Sequence, residues 1–163
     1  MKKILTAQQR DEFLKESNAI EGVYDVASFE QAKRAWEYLI KQDILTIGVI
    51  LKTHKILMLN QNLLPNEKGY FRTVPVWVAG RSGIDYRMIE PTLLMQFVFE
   101  TMRAYPAPDW KALHIKYEQI HPFVDGNGRT GRMFMNWTRI KRCGLPLLII
   151  KANERQKYYE WFK

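Results

Sequence analysis

The sequence predicts an all-α fold, mainly helical, with one small β-hairpin. Three observations point there. Apolar residues recur at helical spacing through most of the chain. Capping boxes open two of those segments. A single stretch is rich in β-branched and aromatic residues, and it has glycine at both ends.

In chain order, Thr6 with Gln9 opens a first helix that runs to about Glu21, where Gly22 is the stop signal. Ser28 with Gln31 reads as a second capping box, opening a helix to about Gln42. A third helix is expected from Ile44 to Asn60, with Ile47, Ile50, Leu51, His54, Leu57 and Met58 on one face. The stretch from Gly69 to Gly80 reads as extended chain or a short hairpin. Pro75 cannot donate to a ladder, which makes this an edge or a lone hairpin. Helix returns from about Pro91 to Ala104 and ends at Tyr105-Pro-Ala-Pro108. Asp109 caps the next helix, which carries Trp110, Leu113, Tyr117 and Ile120. A further helix is expected from about Arg129 to Arg142, stopped by Gly144 and Pro146, and Asn153 is placed to cap a last one.

The 163 residues suit one domain of 1–163, and 47% apolar against 26% charged residues excludes a disordered chain. Cys143 is the one cysteine, so no internal disulfide forms, and a reducing, cytoplasmic setting fits. No apolar run approaches the ~18 residues of a membrane span. The basic start at Lys2-Lys3 is cut short by Gln8, Gln9, Arg10 and Asp11, so a secretory leader is not expected. The net charge of +8 favours polyanionic partners: nucleic acid, nucleotide phosphates or an acidic protein.

The chemistry is concentrated in His121-Pro-Phe-Val-Asp-Gly-Asn-Gly-Arg-Thr-Gly-Arg132. Its glycines let backbone N–H groups converge on an anion, and the loop feeds a helix whose first N–H groups are free. Arg129 and Arg132 are three apart and suit bidentate grip on phosphate. Asp125 is the one carboxylate in the stretch, enough for a magnesium ion whose other ligands are phosphates. His121 suits a general base near neutral pH. Together these residues predict a magnesium–nucleotide site that performs phosphoryl or nucleotidyl transfer.

Other readings are weaker. Gly126, Gly128 and Gly131 fit the dinucleotide-binding fingerprint, but a helix precedes them and no acidic residue lies between Asp125 and Glu154. No Gly-Lys-Ser/Thr ending marks a P-loop. A bland helix–loop–helix with solvated arginines and a packed His121 would not need this density of functional groups.

The stretch 121–132 resembles the signature of the Fic domain family, His-Pro-Phe-x-Asp-Gly-Asn-Gly-Arg-x-Gly-Arg, at every specified position. The lead-in from Ala112 to Ile120 resembles the family's preceding helix, and the likeness covers about residues 15–163. The resemblance implies a single Fic domain with 112–142 as its catalytic helix–loop–helix. It also implies transfer of AMP from ATP, with Mg2+, to a Ser, Thr or Tyr hydroxyl of a target protein. In that reading His121 deprotonates the hydroxyl and Asp125 holds magnesium. Asn127 and the backbone of Gly126 and Gly128 form an anion hole, while Arg129 and Arg132, with Gly131 between them, serve the outer phosphates. Pro122 and Phe123 are structural.

The segment Arg72–Val78 is similar to the family's target-binding flap, which places Thr73, Val74, Pro75 and Val76 against the substrate, by β-augmentation in physical terms. Tyr158 and Tyr159 fall where the family carries its adenine pocket. Ser17-Asn-Ala-Ile-Glu-Gly22 is similar to the family's inhibitory pattern, which makes residues 6–22 an inhibitory helix. Ser17 and Glu21 share a helix face, and the resemblance pairs Glu21 with Arg132. A carboxylate there would displace the γ-phosphate by taking its donors and by like-charge repulsion.

The resemblance leaves room for AMP removal with Glu21 positioning water, for transfer of another nucleotide monophosphate, and for a homo-oligomer. A non-enzymatic basic nucleic-acid-binding or antitoxin-like protein is the outlying alternative. The intact motif and the lack of a separate recognition-helix domain argue against it.

Overall fold

The computed structural model describes residues 5–77, 85–86, 91–103 and 105–163. Seven helices are seen among them: α1 (Ala7–Ile20), α2 (Val26–Ile40), α3 (Ile47–Leu57), α4 (Pro91–Met102), α5 (Trp110–Ile120), α6 (Asn127–Lys141) and α7 (Arg155–Tyr159). Two short strands, β1 (Val76–Trp77) and β2 (Asp85–Tyr86), pair antiparallel with Val76 opposite Tyr86. The all-α expectation with one small hairpin therefore holds. The expected segment 69–80 contains the first strand, the second lies beyond it, and Val78 and Gly80 fall outside the described residues.

Helix α6 is the axis of the molecule. Twelve of its residues are buried, from Asn127 to Arg139, and it packs against α1, α2, α3 and α5. The apolar core gathers around it from Phe13, Trp36, Ile50, Tyr117, Phe134 and Trp137. The Trp137 indole N–H donates to the Gln42 carbonyl (3.0 Å), so even this large ring leaves no stranded donor.

The caps explain where the elements begin. Thr6 and Gln9 form the expected capping box on α1. For α2 the cap is Asp25, not Ser28. The Asp25 carboxylate takes both the Ser28 N–H (2.8 Å) and the Ser28 hydroxyl (2.7 Å), and a charged acceptor outcompetes a hydroxyl for the helix start. Ser28 Oγ is left to accept from Asn60 and Gln61. α3 is shorter than expected at both ends, because Thr46 caps it through the Val49 N–H and Met58 closes it. Asp109 caps α5 as expected. At the C-terminal end, Asn153 caps nothing: Ala152–Glu154 forms a 3-10 turn ahead of α7.

α1 is fastened to the segment before α7 as well as to the core. Glu16 accepts from the Ala152 N–H (2.7 Å), and Lys151 pairs with Glu12. This places the end of α1, with Ser17 and Glu21, beside the start of α6.

Candidate active site

α6 starts two residues before the expected Arg129, because Gly126 is its N-cap with φ +81°. That left-handed conformation favours glycine, and a Cβ here would sit 2.7 Å from Met58 Sδ. Gly128 and Arg129 therefore lie in the first helical turn, where N–H groups have no intrahelical acceptor and the dipole is positive.

His121 ends α5 in a left-handed conformation, φ +50°, which turns the chain into the loop. Its Nδ1 lies 3.2 Å from the Glu118 carbonyl. A carbonyl can only accept, so that nitrogen carries the proton and Nε2 carries the lone pair. The tautomer is the one a base acting through Nε2 requires. Asp125 follows with its carboxylate 60% exposed, one oxygen taking the Gly126 N–H (2.7 Å). The other oxygen lies 3.7 Å from Arg129 Nη2. An exposed carboxylate beside a phosphate-ready helix start fits magnesium, a hard cation that takes few protein ligands when phosphates supply the rest.

Asn127 is buried and braces the loop. Its side chain accepts from the Phe123 N–H and donates to the Phe123 carbonyl, both at 2.9 Å. With the amide oxygen and one amide hydrogen committed to Phe123, the expected anion-hole role would fall mainly on its backbone. Gly131 turns the side that a side chain would occupy to Tyr117 and Glu118. It abuts α5, where a Cβ would overlap the Glu118 carboxylate, and its carbonyl accepts from His114. Its role is close helix packing.

The two arginines differ in their surroundings. Burial pushes the Arg129 guanidinium down from its ordinary value, with Asp125 opposing. Its Nε and Nη1 are buried without a hydrogen-bond partner among the described residues. Such a cation is costly unless an anion joins it. Arg132 has a counter-charge: burial opposes its ionisation, but the Glu21 carboxylate, with the neutral Tyr158 hydroxyl oxygen beside it, holds it above its ordinary value. Nη2 donates to Glu21 Oε1 (2.7 Å) and to the Ser17 carbonyl (2.9 Å), and Nε donates to Ser17 Oγ (2.9 Å). The Ser17 carbonyl lies in the last turn of α1, the negative end of that helix. Gly128 gives the Glu21 carboxylate its room, because a Cβ there would overlap Oε1. The expected pairing of Glu21 with Arg132 is thus present within one chain.

The two tyrosines separate. Tyr158 is 4% exposed, its ring packed against His114, Trp161 and Phe162. Its hydroxyl lies 2.7 Å from His114 Nε2 and 3.5 Å from Arg132 Nη1. It props the arginine and is too enclosed to stack on a base. Tyr159, 40% exposed, keeps an open face. In the flap, Thr73, Val74 and Pro75 are exposed while Val76 is buried, so Val76 meets a ligand through its backbone if at all.

Three further residues, none of them a candidate from the sequence, are packed behind these groups. Arg72, buried, donates through Nε to the His121 carbonyl (2.8 Å), and its N–H donates to the Pro122 carbonyl (2.9 Å). His54 stacks on Phe123 at 3.7 Å between ring centroids and bonds the Asp125 carbonyl. His114 lies beneath Arg132. Burial pushes His54 down to about 4 and His114 down to about 3, so both are neutral. In the sequence each histidine had only its place on a helix to mark it.

A helix hairpin thus gathers a histidine, a carboxylate and two arginines about one helix start in an all-α fold. The match to known proteins is specific. Residues 44–138 match the model of the Fic/DOC family. Proteins named protein adenylyltransferase Fic from Drosophila erecta and Drosophila melanogaster are 36% identical over 131 residues. That stretch is 77% of this chain and 26% of either relative, so the chain spans about a quarter of their length. The fold is similar to that of a Fic domain containing signaling protein from Bacteroides thetaiotaomicron (TM-score 0.79, 19% identity, 94% of this chain and 70% of the other). It is also similar to Fic-1 from C. elegans (TM-score 0.74, 22% identity, 95% and 55%). The chain belongs to the Fic/DOC family.

Proposed function

We propose that this chain is a protein adenylyltransferase that moves AMP from ATP to a hydroxyl of a target protein, and that Glu21 inhibits it. The observation that carries the reading is the start of α6: free N–H groups, a buried Arg129 lacking hydrogen-bond partners at Nε and Nη1, and His121 with its lone pair on Nε2.

In this mechanism His121 Nε2 takes the proton of the target hydroxyl. The hydroxyl oxygen attacks the α-phosphorus, and the bond to the β-phosphate oxygen breaks, releasing pyrophosphate. Backbone N–H groups at the start of α6 stabilise charge on the α-phosphate oxygens. Arg129 and Arg132 hold the outer phosphates. Asp125 would hold Mg2+, which when bound supplies neutralising charge on the phosphates. The Thr73–Val76 flap aligns the target backbone, and the exposed Tyr159 covers the adenine.

Glu21 occupies Arg132, and its carboxylate lies against Gly128 where the phosphates would run. ATP then lacks its γ-phosphate partner and meets a like charge. Nothing long and apolar enough to cross a membrane occurs among the described helices, and a cytoplasmic setting is the proposed one.

The test uses Glu21→Gly with magnesium and α-labelled ATP in cell lysate, beside the wild type, Glu21→Gly/His121→Ala and other labelled nucleotides. Label on a protein from ATP, lost with His121→Ala, supports adenylylation. Label from another nucleotide keeps the mechanism and changes the donor. No label from any donor rejects the transferase reading and favours AMP removal by the same site.

A further inference from the structure

One buried bracket of groups is left unused by the mechanism. His54 on α3 has both ring nitrogens engaged. The Gly69 N–H donates to Nδ1 (2.9 Å), so Nδ1 carries the lone pair and Nε2 the proton. Nε2–H then donates to the Asp125 carbonyl (2.9 Å). The ring is fully buried and lies parallel to Phe123 within 7°. One imidazole therefore joins three segments: α3, the backbone of the metal-facing aspartate, and the glycine that leads into the flap. Arg72, three residues past Gly69, makes the matching link to the His121 and Pro122 carbonyls and to the Val74 carbonyl just ahead of β1.

We propose that His54 is a positioning residue that fixes the Asp125 end of the site, with Arg72 fixing the His121 end, both anchored at the root of the flap. This rests on the reading that Asp125 and the α6 start bind the metal–nucleotide. The reason is geometric. The Asp125 carboxylate is exposed, so its side chain is steered by its own backbone rather than by packing. The hydrogen bond to its carbonyl orients that backbone, as partners behind a ligand generally do. The loop needs the help because Gly126, where it meets α6, imposes little stiffness of its own.

The two halves of the imidazole can be removed separately. In His54→Asn the amide oxygen falls near Nδ1 and keeps the Gly69 N–H, but nothing reaches the Asp125 carbonyl. In His54→Gln the amide nitrogen falls near Nε2 and keeps that bond, while Gly69 loses its acceptor. The assay is binding of Mn2+ with ATP, read by electron paramagnetic resonance, in the Glu21→Gly background. His54→Asn is expected to weaken binding by about tenfold or more, the usual size for a partner behind a metal ligand. His54→Gln should bind within about twofold of the parent, with faster hydrogen exchange at the Gly69 amide. Arg72→Gln should bind Mn2+–ATP as the parent does and lose transfer rate. If the Glu21→Gly parent itself binds no Mn2+–ATP, the reading beneath this inference fails. If the parent binds and His54→Asn binds as tightly, or His54→Gln loses binding, the positioning role is overturned.

Discussion

Arg132 and Glu21, 111 positions apart in sequence, meet at 2.7 Å between Nη2 and Oε1. The arginine is buried and the glutamate partly exposed, so the contact is asymmetric: Arg132 depends on a partner, whereas Glu21 can leave for water. In the proposed mechanism a γ-phosphate takes its place.

Glu21→Gly should raise AMP transfer by tenfold or more, on the order of the coupling expected for a switch. Transfer by purified protein to its target with labelled ATP is the measurement. Equal rates for wild type and variant would remove the switch. His121→Ala should abolish transfer in either background while nucleotide binding persists.

Ser17→Ala should release inhibition only in part. It removes the acceptor of Arg132 Nε but leaves the Ser17 carbonyl and Glu21 in place. Its transfer rate should fall between wild type and Glu21→Gly. A rate equal to that of Glu21→Gly would show that the hydroxyl, not the carboxylate, is the lock.

The tyrosines should separate in a paired experiment. Tyr158→Phe deprives the buried His114 Nε2 of its donor and should cost roughly 1–3 kcal/mol of stability in urea unfolding. Tyr159→Ala should leave stability nearly unchanged and raise KM for ATP. The reverse pattern would assign the adenine to Tyr158.

Gly131→Ala should destabilise the α5–α6 packing by about 1–3 kcal/mol, the usual cost of forcing a group into a filled contact. Thermal unfolding checks it, and an unchanged midpoint with lost ATP binding would return Gly131 to the phosphate site.

Stability should fall between pH 7 and pH 5. His54 and His114 are held neutral by burial at about 4 and about 3, while in the unfolded chain they bind protons below about 6.5. The unfolded state then carries more protons, so their stabilising contribution is complete above about pH 6.5 and drains as pH falls. Urea unfolding at the two pH values should differ by on the order of 3 kcal/mol, by proton linkage at two such sites. Identical values would mean that the rings protonate in the folded state.

Much of the fold was legible because caps and periodicity are local. Thr6 with Gln9, Asp109 and the Pro/Gly stops act within a few residues, so the helices could be read in order. The miss at Ser28 came from a competitor three residues upstream, the stronger acceptor Asp25. Asn153 failed because the chain tightened into a 3-10 turn tied to α1 through Ala152 and Glu16.

The loop 121–132 was legible for a different reason. Phosphate chemistry needs its groups on one short turn, so residue type and spacing nearly specify it. The sequence by itself determined the helical class and marked His121, Asp125, Arg129, Arg132 and Glu21 as the candidate functional groups. The tertiary structure decided which of the candidate groups lie open at the helix start and which are packed behind it. It turned Gly131 into α5, enclosed Tyr158, bound the Asn127 amide to Phe123, and brought His54, Arg72 and His114 behind the site. Those roles rest on burial and on hydrogen bonds between distant segments, and no local pattern encodes either.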